Sequence, residues 1–437
     1  MQIQKPKQGY KLIKFLFGNY EEIPEEWERV KLIERCSKKP EYGALVSAIE
    51  KNPKLPRYIR ITDLNEDGSL RDEEWKSIST DDAKNYLLNE GDVLFARTGA
   101  TVGKTYLYEK KDGLCAFAGY MIRFIPKSTQ LDPKFLFYYA HSALYWRWLK
   151  SIQTWGVQPN VNAEQYSNML ILLPLIKEQQ KIALILSNID SLIQQTETEI
   201  EQTQRLKKGL MKKLLTKGVG HVKFKETNLK VKFLKLSIPE SWKVESLANI
   251  SKIIDTPHYT SPLFDEGIVP VITTANCNIT GKIDYSKVDY TSYEEYLQRT
   301  KTINPLEGDV LFTREAPLGI AVLVDKREIS VGQRIILLKT DETKILNMFL
   351  VYFLNSDIGR MQSSSLSVKT TVERVNIHEI RQFRIPLPPI IEQKQIVMIL
   401  SEIDSKIQTS QDYRHTLKTL KKGLMQKLLT GQIRVKI

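Results

Sequence analysis

The sequence predicts an α/β (α+β) chain of two duplicated halves, each a globular domain followed by one long helix, with pseudo-twofold character. Three observations predict it. The chain repeats its own sequence about 214 residues on. Each half changes character once, from mixed short elements to an uninterrupted helical stretch. That stretch carries a narrow apolar stripe at spacings of three and four.

The repeat is clearest in Glu178–Asp190 (EQQKIALILSNID) against Glu392–Asp404 (EQKQIVMILSEID), where eight of thirteen positions match. Leu206–Thr216 and Leu420–Thr430 share ten of eleven positions, around the string Leu-Lys-Lys-Gly-Leu-Met. Ile23-Pro24-Glu25-Glu26-Trp27 answers Ile238-Pro239-Glu240-Ser241-Trp242, and Gly91–Phe95 (GDVLF) answers Gly308–Phe312. Phe135-Leu136 answers Phe349-Leu350, and Val161-Asn162 answers Val375-Asn376. Two repeats of this size are too few and too large for a solenoid. A tandem duplication of one two-part unit fits.

Within the first part of a half, β-rich runs are expected at Asp92–Ala96, Thr105–Tyr108 and Tyr120–Ile125. Turn signals at Asp67-Gly68, Glu90-Gly91 and Asp112-Gly113 punctuate them. A helix is expected over Pro133–Leu149, with Asp132 as N-cap and Pro133 at the first helical position. The second part starts just after Pro174, and again after Pro388-Pro389, and runs roughly 38 residues, or about 57 Å. Its expected stripe is Ile182, Ile185, Ile189, Leu192, Thr196, Ile200, Thr203, Leu206, Leu210 and Leu214. In the second copy it is Ile396, Ile399, Ile403, Ile407, Ser410, Tyr413, Leu417, Leu420, Leu424 and Leu428. Helices this long cannot bury such a stripe on a compact neighbour, so the two copies are expected to pair as a coiled coil.

Composition bounds the function. The 437 residues are 42% apolar and 26% charged, enough for several packed cores and too ordered for a disordered chain. The net charge is +13, which points to a polyanion, nucleic acid first. The longest apolar run, Met169–Ile176, is broken by Pro174 and is far short of a membrane span. Lys5, Lys7, Lys11 and Lys14 are followed by no apolar signal core. Three scattered cysteines, Cys36, Cys115 and Cys277, fit a reducing, cytoplasmic setting without disulfides, and no Cys/His cluster has metal-ligand spacing. Two similar domains held by a rigid spacer suit a ligand with two half-sites, and for a basic chain that ligand is double-stranded DNA.

At this point the motifs resemble a known family. Gly91-Asp-Val-Leu-Phe-Ala-Arg97 through Gly103-Lys104, and Gly308-Asp-Val-Leu-Phe-Thr-Arg314 through Gly319, look like the signature of target recognition domains. Together with the Ile-Pro-Glu-x-Trp openings, the Pro-x-x-x-Glu-Gln helix starts and the Leu-Lys-Lys-Gly helix ends, the chain resembles the specificity (S) subunit of type I restriction-modification systems. The resemblance implies two target recognition domains, 1–173 and 221–387, and two antiparallel spacer helices, 174–220 and 388–437. Each domain would read half of a bipartite DNA target. The helices would dock two DNA adenine methyltransferase (M) subunits, and ATP-dependent endonuclease (R) subunits would complete the complex. The chain would bind no cofactor; S-adenosylmethionine, ATP and Mg would belong to its partners.

The chemistry-bearing motifs agree. Neither Asn52-Pro53-Lys54 nor Leu387-Pro388-Pro389-Ile390 forms the Asn/Asp-Pro-Pro-aromatic string an adenine methyltransferase needs for a flipped base. Gly99-Ala-Thr-Val-Gly103-Lys104-Thr105 has three residues between its glycines where a phosphate cradle needs four. No catalytic residue is assigned.

DNA contacts are expected after each GDVLF run: Arg97 and Lys104 in the first half, Arg314 in the second. An arginine that recurs in two domains reading different sequences is expected to hold phosphate or its own loop rather than specify a base. Residues that differ between halves are the base-reading candidates. Gln158 and Asn160 stand against Lys369, Thr370 and Arg374, both groups preceding the shared Val-Asn. Asn52, Lys54, Arg57 and Arg60 are further candidates in the first half, with His258, Tyr259 and Thr260 in the second. The basic helix ends suit a helix dipole. The exact repetition of Lys207-Lys208-Gly209 in Lys421-Lys422-Gly423 adds a second expectation, from the resemblance, that these residues dock methyltransferase subunits. A helical glycine costs roughly 1 kcal/mol relative to alanine, so close packing of another backbone is expected there. A scaffold presenting two non-DNA ligand domains is the rival reading. Steep loss of binding with salt separates the two.

Overall fold

The computed structural model describes residues 6–14, 20–153, 159–229, 235–257, 259–260, 262–264, 266–368 and 373–436. The chain forms two compact units, Met1–Glu197 with Asp412–Ile437, and Thr198–Gln411.

The first unit opens with an antiparallel hairpin, Tyr10–Lys14 against Tyr20–Pro24. Glu28–Lys31 then pairs with Leu170–Leu173, the strand that leads into the long helix. The centre is a four-stranded sheet in the order Glu41–Tyr42, Met121–Phe124, Val93–Ala96, Thr105–Leu107. A three-stranded sheet, Lys76–Ser77, Arg57–Ile59, Cys115–Phe117, has its last two strands parallel. Val93–Ala96 is buried at all four positions, as a strand covered on both faces must be. The Gly-Asp before it makes the entry turn. Gly91 has φ +88°, and Asp92 accepts a hydrogen bond from the Asn89 amide at 3.0 Å. The GDVLF run is therefore a turn followed by a core strand.

The expected helix over Pro133–Leu149 is two helices, Pro133–Tyr139 and Ala143–Ile152. Asp132 caps the first through the Phe135 amide at 2.9 Å. Ser142 starts the second, accepting from the Tyr145 amide at 3.3 Å, and so turns the chain where apolar periodicity alone gave no break.

The second unit repeats this plan. Its hairpin is Phe224–Asn228 with Lys235–Pro239, and Lys243–Ser246 pairs with Arg384–Leu387. Its four-stranded sheet runs Ser251–Asp255, Ile335–Thr340, Val310–Thr313, Ala321–Leu323. Its three-stranded sheet joins Asp289–Thr291, Val269–Ile272 and Ser330–Val331, the last two parallel.

The long helices are Ile176–Lys217 and Ile390–Leu428. Each contributes to both units. In the first unit, ion pairs Lys418–Glu197 and Lys421–Asp190 set residues 176–197 antiparallel to residues 412–428. In the second, Lys406–Glu199 and Lys207–Asp404 do the same for residues 198–217 and 390–411. The buried seam of the first helix is Ile182, Leu186, Ile189, Ile193, Thr196, Ile200, Thr203 and Leu214, a strict four-three alternation through the half-buried Lys207 and Leu210. The expected stripe is corrected at six places: Ile185 and Ile399 are half-buried and yield the seam to Leu186 and Leu400, and four others are solvent-facing. Leu192, Leu206, Tyr413 and Leu420 are exposed, and their seam places go to Ile193, Lys207, Arg414 and Lys421.

The repeated motifs are mountings between each globular part and its helix pair. Trp27 donates from Nε1 to Glu178 at 3.1 Å, and Trp242 donates to Glu392 at 2.9 Å; all four residues are buried. Gln179 accepts from the Asp132 amide and donates to the carbonyls of Gln130 and Pro174. Gln393 repeats this on Leu346, Lys344 and Pro388. Tyr138 donates to Asp190 and Tyr352 to Asp404, each at 2.8 Å, and burial together with the carboxylate pushes both phenols up. The Ile-Pro-Glu-x-Trp openings and Glu-Gln helix starts recur because the same buried hydrogen bonds are made twice.

Candidate nucleic-acid interface

In each unit three loops meet at one end of the four-stranded sheet. The first follows the core strand and carries the recurring arginine. In the first unit the Val161 amide donates to the Arg97 carbonyl at 2.8 Å, and the Arg97 amide donates to the Tyr120 carbonyl at 3.0 Å. In the second, Val375 donates to Arg314 at 3.0 Å, and Arg314 to Arg334 at 2.9 Å. The loop before the shared Val-Asn is thereby tied to the loop after GDVLF. Asn160 bridges to Thr98, and Arg374 bridges to Val368 beside Val375. The structure thus brings Arg97 together with Asn160, and Arg314 with Arg374. Gln158, Lys369 and Thr370 lie outside the described residues, as does His258.

The recurring arginines are held differently. The Arg97 guanidinium lies 4.8 Å from the centre of the Tyr42 ring. Arg314 faces Asp255 at 3.6 Å. Tyr42 and Asp255 occupy the same register, opposite Ile122 and Ile336 on the neighbouring strand. A cation over an exposed ring gains about 0.5–1 kcal/mol, and a carboxylate supplies an opposite charge. In both halves the arginine Nε is buried and has no hydrogen-bond partner among the described residues. An unpaired buried donor costs stability. The unpaired donor recurs at the same place in both units.

Three of the other cationic candidates are engaged within the fold, while Lys54 is exposed. Lys104 pairs with Glu66 at 2.6 Å and reaches the Leu64 carbonyl. Arg57 faces Asp72 at 3.3 Å and lies over the Trp75 ring. Arg60 grips Asp63 through Nε at 3.1 Å and through a terminal nitrogen at 2.6 Å, and this contact holds its charge above the ordinary range. Gly103 serves packing: it has φ +89°, and a Cβ there would lie 2.3 Å from Leu149 Cδ2.

At the helix ends, Lys207 and Lys421 are turned into the seam. Each pairs with an aspartate and lies over a tyrosine ring, Tyr352 at 5.5 Å and Tyr138 at 5.6 Å. Lys208 and Lys422 are exposed. Among the described residues no second backbone packs on Gly209 or Gly423; a Cβ added at either meets nothing within 4 Å. Beside them Leu206 is 56% and Leu420 49% exposed.

Sequence reasoning missed Tyr42, Tyr120, Asp255 and Arg334. Tyr120 and Arg334 are 214 residues apart, as the repeat requires, but neither lies in a recognisable string. Strand register is what places them beside the recurring arginines.

Two copies of one α+β plan, each mounted on antiparallel helices and presenting an arginine-bearing loop cluster, define a two-module recognition protein. The family model described as the type I restriction modification DNA specificity domain matches residues 24–203 and 239–419, and the chain belongs to this family. It is 32% identical over 361 residues to the type I restriction enzyme MjaVIII specificity subunit of Methanocaldococcus jannaschii, covering 81% of each chain. It is 29% identical to the putative MjaX specificity subunit of the same organism, covering 98% of this chain and 99% of that one. Among solved structures, its fold is similar to that of a chain described in terms of complex assembly and conformational transition of the type I R-M system. That chain is 18% identical, with 94% of this chain and 99% of that one covered, at a TM-score of 0.56. A type I restriction-modification S subunit from M. genitalium matches at 15% identity, 94% and 96% coverage and a TM-score of 0.56. The protein is a sequence-specific DNA recognition subunit.

Proposed function

We propose that the chain reads a bipartite duplex target, one half-site per unit, and directs adenine methylation and restriction by partner subunits in the cytoplasm while doing no chemistry itself. The observation that carries this is the contrast within the duplication. The mountings are the same in both units, from Trp27–Glu178 and Trp242–Glu392 to the Tyr–Asp–Lys sets, whereas the loop clusters differ. Parts that meet a common partner stay alike, and parts that read different half-sites diverge.

Arg97 and Arg314 are assigned to phosphate, and Asn160 and Arg374 stand beside them as base-reading candidates. The helix-end surface of Leu206, Lys208 and Gly209, repeated as Leu420, Lys422 and Gly423, is assigned to two methyltransferase subunits. S-adenosylmethionine belongs to those subunits, and ATP and Mg to the translocating endonuclease subunits. The test is adenine methylation across the native genome with and without this gene. Loss of one bipartite methylated motif on deletion is expected. An unchanged methylome, together with binding of the purified chain to duplex DNA that does not weaken as salt rises, would favour the scaffold of two non-DNA ligand domains.

A further inference from the structure

Between the parallel strand and the central strand of each unit runs a loop of three residues, Ala118-Gly119-Tyr120 in the first and Gly332-Gln333-Arg334 in the second. Both ends are fixed in equivalent register. Phe117 pairs with Ile59 as Val331 pairs with Ile272, and Met121 stands opposite Ala96 as Ile335 stands opposite Thr313. The third residue of each loop therefore occupies the same place, its carbonyl accepting the amide of the recurring arginine. The frame is shared and the side chains are not. This is the pattern expected of a position that reads sequence.

The two residues present different chemistry. Tyr120 is 58% exposed. Its loop neighbour Gly119 lies against Leu45, itself 87% exposed, and a Cβ at Gly119 would come within 2.3 Å of Leu45 Cδ2. An exposed leucine beside an exposed tyrosine offers an apolar surface of the kind that meets a thymine methyl group. At the same place in the second unit stands Arg334, its side chain 57% exposed. Glu315 holds its Nε at 3.0 Å, and its two terminal nitrogens have no partner among the described residues. That leaves the outer edge of the guanidinium oriented and free, the edge that donates two parallel hydrogen bonds to guanine O6 and N7. Arg334 also has φ +71°, a left-handed backbone that is strained for any residue with a Cβ. Packing does not require an exposed arginine at such a position. Gln333 beside it reaches Thr260 at 3.3 Å, which ties this loop to the connection between Ser251–Asp255 and Val269–Ile272.

We infer that this three-residue loop is a specificity element of each unit, and that Arg334 reads a guanine in the second half-site, buttressed by Glu315. The inference rests on the DNA-reading function proposed above and names a residue for it.

The test uses the full chain expressed with its own modification subunits in the host, and sequencing of genomic adenine methylation. Wild type, R334G, R334Q and E315Q are compared. R334G relieves the backbone strain, so its folding is not in question, and thermal unfolding of each purified chain confirms this. The expected result is a bipartite motif with a fixed guanine in one half-site. R334G and R334Q relax that single letter, with discrimination falling roughly 5- to 150-fold, while the other half-site and the spacing stay unchanged. E315Q weakens the same letter more mildly. Three results overturn the inference: an unchanged motif in both Arg334 variants, a uniform loss of methylation with no letter changed, or a wild-type motif lacking guanine in the affected half. Absence of any bipartite motif in wild type instead overturns the DNA-reading function itself, so the two failures are distinct.

Discussion

The Nζ of Lys421 lies 2.6 Å from the Asp190 carboxylate, at a seam position of the helix pair where an apolar residue would ordinarily sit. Lys207 stands to Asp404 in the same way at 2.5 Å. Each lysine covers a tyrosine ring whose hydroxyl donates to the same aspartate. The three groups couple the globular part of a unit to both of its helices.

Removing either seam lysine therefore loosens its own unit. K207A and K421A each lower unfolding free energy by about 1–2 kcal/mol, between the values for exposed and buried ion pairs. K208A and K422A change it by no more than about 0.5 kcal/mol, as exposed substitutions do. Urea unfolding of the four variants checks this. Equal losses in both pairs would contradict it.

Gly209 and Gly423 behave in the opposite way. Both sit within a helix with open space where a Cβ would go. G209A and G423A stabilise the isolated chain by up to about 1 kcal/mol each through helix propensity. If these glycines let a methyltransferase subunit approach closely, the same variants capture that subunit less well. Thermal unfolding and co-purification read the two effects separately.

The buried carboxylates at the helix starts are costly to remove. Glu178 accepts from Trp27 and pairs with Arg434 at 2.7 Å; Glu392 accepts from Trp242 and contacts His221 at 2.8 Å. E178A and E392A each destabilise by about 2–3 kcal/mol, because each leaves a buried indole N–H without its acceptor and strips the partly exposed Arg434 or His221 of its carboxylate. Calorimetry of the variants is the measurement.

His141 gives a pH dependence. Burial disfavours its cationic form and lowers its pKa, while its ring sits 2.8 Å through Nδ1 from the Phe137 carbonyl. The unfolded chain then binds a proton that the folded chain does not, from the ordinary histidine value down to the depressed one. Stability rises with pH through that window and falls as the solution is acidified below about pH 6.5. H141Q, which carries no titrating ring, shows a smaller loss of melting temperature between pH 7 and pH 5 than wild type.

The three cysteines are buried, and desolvation pushes each thiol up to about 12. The folded protein resists a thiol reagent at pH 8, and denaturant exposes all three groups to it. Rapid labelling of any of them without denaturant would contradict this.

The order of parts, the core strands and both helix starts were legible because each leaves a local mark: a repeat, an apolar run, a proline followed by Glu-Gln. The seam phase was legible only in part. Leu206 and Leu420 adjoin the seam and are more apolar than the lysines that fill it, and an aspartate on the opposite helix is invisible to periodicity. The DNA-contact candidates divided for a similar reason. Arg57, Arg60 and Lys104 look free in sequence, yet Asp72, Asp63 and Glu66 engage them. Tyr42 and Asp255 become equivalent only through strand pairing.

Tyr10 donates to the Gly431 carbonyl, and Arg434 bonds Glu26 and Glu178. The first unit is thus closed by residues 412–437, which follow its residue 197 only after the whole second unit has been made. During synthesis the order of folding is inverted. The second unit has its full complement of residues once Gln411 leaves the ribosome, while the first waits with Trp27 and Glu178 short of their closing partner. A stop codon near residue 412 would therefore cripple the half of the protein that was translated first and spare the half translated after it.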